Sequence, residues 1–101
     1  MSVIEIRKTE AFERWFARLR DRMAIARIQS HIDRLQLGLM GDIKPLRKGV
    51  SEMRINYGPG YRIYFLKRGL ELVILLAGGD KRSQSRDIKK ALEYARLLQE
   101  E

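Results

Sequence analysis

The chain contains no cysteine, which excludes disulfides, thiol nucleophiles and sulfur-ligated zinc. It has one histidine, His31, with no carboxylate or second histidine at ligand spacing. A solvated side chain is the simpler reading of that residue than a metal ligand. No window approaches the ~20 apolar residues of a membrane span. Glu5 and Arg7 interrupt the N-terminus where a signal peptide needs an unbroken apolar region. A cytoplasmic protein is the expectation. Negative charge is also scarce, with 13 Asp and Glu against 21 Lys and Arg, for a net charge of +8.

What is present fits a single soluble domain. A length of 101 residues is enough for one buried core. Apolar residues make up 45% and charged residues 34%, a globular rather than a disordered composition. So much positive charge on a small fold points to nucleic acid or an acidic protein partner without choosing between them.

Along the chain, residues 3–7 are β-branched and loosely alternating, which predicts a short strand. Thr9 is a fair N-cap for a helix over 10–19, in which Phe12, Trp15, Phe16 and Leu19 form one stripe. That stripe reads as core more readily than as a base-stacking surface. Asp21 can cap a second helix running to about residue 37, with Ile25, Ile28, Ile32 and Leu35 as its seam. The join at Arg20-Asp21 is so short that the two helices must pack as a hairpin. Residues 41–49 read as a loop holding Pro45 and the basic cluster Lys44, Arg47 and Lys48. Strands follow over 51–56, 61–67 and 70–77, separated by Gly58-Pro59-Gly60 and Arg68-Gly69. A last helix over 85–99 presents Ile88, Ala91, Leu92, Ala95 and Leu98 inward. The predicted class is α+β, in the order β-α-α-β-β-β-α, with an antiparallel sheet and the helical hairpin on one side.

Two features carry chemistry. The first is Gly78-Gly79-Asp80-Lys81-Arg82-Ser83-Gln84, between the most apolar strand and the last helix. Its glycines are expected to turn the backbone, bringing Lys81 and Arg82 to a helix N-terminus as a phosphate site; a solvated turn is the plainer alternative. The second follows from strand alternation. If the strands flanking Gly58-Pro59-Gly60 pair, Glu52, Arg54, Arg62 and Tyr64 share one sheet face, with Lys81 and Arg82 at its rim. This is either a cross-strand ion pairing or an anion site. A register slip of one residue would turn all of them over.

The segments Glu52-Met53-Arg54, Gly58-Pro59-Gly60-Tyr61-Arg62-Ile63-Tyr64-Phe65, Leu75 through Gln84 and Asp87-Ile88-Lys89-Lys90-Ala91 occur in that order. In them the chain resembles the addiction-module killer proteins, HigB-like toxins of the RelE/ParE superfamily in type II toxin–antitoxin systems. The resemblance spans essentially the whole chain. It implies a microbial-RNase-like fold and metal-free mRNA cleavage in the ribosomal A site. It also implies neutralisation by a cognate helix-turn-helix antitoxin. In such cleavage the substrate's 2′-hydroxyl attacks; the protein removes its proton, stabilises the phosphorane and protonates the leaving oxygen.

By that resemblance, Arg62 matches the phosphate-binding arginine, Arg54 a basic residue of the preceding strand, and Lys81 and Arg82 the basic pair after the last strand. The chain departs from the pattern at Ile88, where RelE has a tyrosine, and it has no C-terminal histidine. The candidates for the chemistry are therefore Glu52 as base, Tyr64 as its hydrogen-bond partner, and Lys81 or Arg82 as acid or charge stabiliser. Gln84 and Asp87 are expected to organise the helix start. Lys44, Arg47 and Lys48 are expected to dock on ribosomal RNA phosphates. The alternatives are a ParE-like gyrase inhibitor and an inactive relative that only binds antitoxin.

Overall fold

The computed structural model describes residues 3–99. The elements are β1 (Glu5–Lys8), α1 (Glu10–Ala17), α2 (Arg22–Gln36), β2 (Ile43–Pro45), β3 (Val50–Ile55), β4 (Tyr61–Arg68), β5 (Leu72–Gly79) and α3 (Gln84–Gln99), with a 3-10 turn at Lys81–Ser83. The predicted α+β class and element order hold, with one addition. Part of the expected loop over 41–49 pairs antiparallel with β3 as the short edge strand β2. Pro45 is compatible with that edge, because it has no N–H to contribute to a ladder.

The five strands lie in the order β1-β5-β4-β3-β2. The sheet is not purely antiparallel as expected, since β1 runs parallel to β5. The α1–α2 hairpin between β1 and the later strands supplies the long connection that a parallel neighbour needs. Both expected caps are made: Thr9 Oγ1 accepts from the Phe12 amide at 3.1 Å, and Asp21 Oδ1 from the Met23 and Ala24 amides. Each supplies a partner for backbone donors that the first helical turn leaves unbonded.

Helices cover both faces of the sheet. Phe12, Ile28, Ile32 and Leu35 of the hairpin pack on Met53, Ile55, Ile63, Phe65, Val73 and Leu75. On the other face Ala91 and Ala95 of α3 pack on Val50, Tyr64, Leu66, Ile74, Leu76 and Ala77. Two alanines at four-residue spacing let α3 lie close to the strands. The β4–β5 ladder carries a bulge: Tyr64 pairs with Ala77 and Phe65 with Leu75, leaving Leu76 without a partner. Leu76 and Ala77 are accordingly both on the α3 face.

Candidate functional site

The strands pair in the register that the candidate face requires. Glu52 lies opposite Tyr64, and Arg54 opposite Arg62. Cross-strand partners in such a ladder have side chains within reach of one another. What the sequence did not disclose is that α3 covers much of this face. Glu52 and Tyr64 are fully buried, and the Arg62 side chain is only 12% exposed, whereas that of Arg54 is 39% exposed. The face is thus a buried polar network opening outward through Arg54.

Glu52 is the hub. Its Oε2 accepts from Arg54 Nε at 3.0 Å, and its Oε1 accepts from Gln84 Nε2 at 2.8 Å. Arg62 Nε stands 3.8 Å from the same Oε1, an ion pair without a hydrogen bond. Burial alone would raise the pKa of Glu52, but the hydrogen bonds from Gln84 and Arg54 and the charges of Arg62 and Arg54 outweigh it. The carboxyl therefore titrates below the ordinary glutamate value. Arg62 Nη1 donates to the carbonyl of Gly60 at 2.7 Å. Lys81 closes that corner, its amide donating to the carbonyl of Pro59 at 3.3 Å. The Lys81 backbone thus lies beside Gly60, to which Arg62 is bonded, at the tip of the β3–β4 hairpin, while Arg54 is held on the Glu52 carboxylate.

Tyr64 has a different environment. Its hydroxyl is buried and hydrogen-bonded to no protein group among the described residues. Burial, and then the negative charges of Glu52 and Asp87, hold its pKa well above the usual phenol value.

The glycines do not turn the chain. Gly78 and Gly79 are the last residues of β5. They are needed for space: a Cβ on Gly78 would lie 2.2 Å from the Trp15 ring, and one on Gly79 would lie 1.8 Å from Asp87 Oδ2. Asp80 makes the turn instead. It caps the 3-10 turn through the amides of Arg82 and Ser83, and the Ser83 hydroxyl accepts from the Asp80 amide in a capping box. Ser83 Oγ donates to the buried Asp87. Asp87 therefore organises the helix start as expected, while Gln84 reaches across to Glu52 instead.

Arg82 is exposed and its guanidinium lies 3.4 Å from Asp80 Oδ2. It also lines an open groove of about 670 Å³ with Arg86 and Lys89. Of the other expected cations, Lys44 is an exposed edge-strand residue opposite Glu52 in register. Arg47 and Lys48 border a second groove of about 430 Å³ with Lys89 and Arg96. Lys89 lines both grooves, so a basic track follows the outer side of α3 from Arg82 to Lys48. Sequence reasoning passed over Arg86 and Lys89. Their spacing from Arg82, four and then three residues, is the helical signal that would have found them.

Comparison with known proteins agrees with this architecture. No protein-family model matches the chain. An uncharacterized protein of Haemophilus influenzae is 45% identical over 95 residues, covering 94% of this chain and 96% of its own length. The chain belongs to the same family as that protein. Among solved structures, a chain of the toxin-antitoxin complex RelBE2 from Mycobacterium tuberculosis superposes with a TM-score of 0.61 at 22% identity. The match covers 78% of this chain and 99% of that one, and what it establishes is a shared fold.

Proposed function

We propose that this protein is the toxin of a type II toxin–antitoxin pair and a metal-independent mRNA endonuclease acting on the ribosome. The observation that carries this reading is the arginine pair Arg54 and Arg62, anchored on one buried glutamate beside Lys81, on a fold shared with a chain of a toxin-antitoxin complex. Guanidinium groups held in advance at fixed positions suit a phosphorane, because they need no reorganisation as its charge develops.

In this scheme Arg54 and Lys81, the accessible members, bind the scissile phosphate, and Arg62 adds charge from behind. Glu52 is buried and both its oxygens are engaged. Its role is then to position the arginines, and in this scheme solvent water takes the proton of the attacking 2′-hydroxyl and returns one to the leaving oxygen. Arg82, exposed and next to Lys81 in the chain, is the candidate to stabilise the leaving oxygen. The track of Arg86, Lys89, Arg47 and Lys48 docks on ribosomal RNA phosphates, with Lys44 at the sheet edge. The cognate partner is a helix-turn-helix antitoxin.

The test is induction of the chain alone, followed by mapping of mRNA 5′ ends. Codon-phased cuts in translated messages are expected, and Arg62→Ala/Lys81→Ala, shown to be folded, is expected to abolish both the cuts and the growth arrest. Intact messages with a DNA-damage response would replace this reading with gyrase inhibition. A double variant as toxic as wild type would remove the site assignment.

A further inference from the structure

A second cationic feature lies away from the Glu52 network, at the outer edge of β5. Strand β1 pairs with β5 only over Leu72–Leu75. Beyond it Thr9 Oγ1 donates to the carbonyl of Leu76, and from Ala77 to Gly79 no strand lies along that edge among the described residues. The edge is the floor of a groove of about 410 Å³ between α1 and α3, with Trp15 on one wall. Arg14, Arg18, Arg86 and Lys90 line its sides.

The two carboxylates in the groove do not neutralise those cations. Asp80 is engaged in capping the 3-10 turn, and Asp87 is buried against Ser83. Arg14 has only an exposed pair with Glu10, a contact of small net value in water. An unpaired strand edge offers main-chain donors and acceptors to another extended chain.

We propose that this groove docks an extended, acidic segment of a protein partner, which adds a short strand to β5 along Ala77–Gly79 with its carboxylates against Arg86, Lys90, Arg14 and Arg18. The Arg54–Glu52–Arg62 network does not line this groove, although Arg86 borders both it and the basic track along α3.

Trp15 is the chain's one tryptophan, so its fluorescence reports on the groove directly. The probes are an end-capped octapeptide of alternating valine and glutamate, its valine–lysine counterpart, and a uridine decanucleotide, each added to the full-length isotope-labelled protein. The valine–glutamate peptide is expected to shift the Trp15 emission, to move the Gly78 and Gly79 amide resonances, and to slow exchange of the Gly78 amide. In Arg86→Glu/Lys90→Glu, both exposed positions on α3, its affinity should fall about tenfold or more, as for two lost charge contacts. The circular dichroism of that variant should be unchanged. No response at millimolar peptide, equal binding by the double variant, or amide shifts confined to other strands overturns the proposal. A response to the uridine oligomer alone also overturns it and makes the groove an RNA site.

Discussion

The two faces of the sheet are each closed by helices, yet they are built of different chemistry. The face under the α1–α2 hairpin buries only apolar side chains. The face under α3 buries Glu52 and Asp87, the only buried charged residues among those described, together with an unpartnered tyrosine hydroxyl. An apolar face tolerates loss of a side chain in proportion to the volume removed. A buried ionic network instead responds to which partner is left alone. The hairpin face holds the fold, and the α3 face stores fixed charge at the cost of some stability.

The largest expected effect lies on the apolar side. Phe12→Ala should cost about 4 kcal/mol in denaturant unfolding, as for other fully buried phenylalanines. Under the nuclease proposal, cleavage per folded molecule should be unchanged. Next comes Glu52→Gln, which leaves Arg54 and Arg62 without their shared carboxylate and should cost about 3 kcal/mol. A value near zero there would erase the contrast between the faces.

The same residue sets a pH signature. Because the Glu52 pKa is lower folded than unfolded, its stabilising contribution is complete above about pH 4.3 and is lost as pH falls through the folded value. Glu52→Gln should therefore flatten the acid limb of stability, measured by unfolding between pH 2 and 6.

Gln84→Ala removes one hydrogen bond to a charged acceptor and should cost about 1.5 kcal/mol. It should also move the acid limb upward, because a cause of the lowered pKa is gone. The smallest change is expected at Tyr64→Phe. Removing a hydroxyl that has no partner should leave stability within about 1 kcal/mol of wild type, with gain the more natural sign. A loss of several kcal/mol in a melt would show that the hydroxyl is satisfied in solution.

Sequence periodicity made most of the fold legible. The stripes of α1 and α2, their caps at Thr9 and Asp21, and the shared face of Glu52, Arg54, Arg62 and Tyr64 follow from spacing and turn residues. The exception is the start of the α2 seam, where Ala24 and not Ile25 is the buried residue. Three things did not show. The pairing of residues 43–45 with β3 depends on a partner strand and not on local propensity, and Pro45 argues against it in isolation. The double glycine reads locally as a turn, because the need for space against Trp15 and Asp87 comes from residues distant in sequence. The burial of Glu52 depends on where α3 lands, and alternation reports only which side of a strand a residue occupies.

The unpaired Leu76 has one more consequence, which is a matter of phase. A regular strand of this sequence would send Ala77 and Gly79 toward the hairpin and Gly78 toward α3. The bulge delays the alternation by one residue. As a result Gly78 meets Trp15 on one side while Gly79 meets Asp87 on the other. The two ends of β5 therefore keep different time, and a single residue between them sets the offset. Deleting Leu76 should preserve the facing of both glycines while losing an apolar contact with α3. Inserting a residue next to it has the same parity and should also keep their facing, but it should slide the end of β5 by two residues against β4.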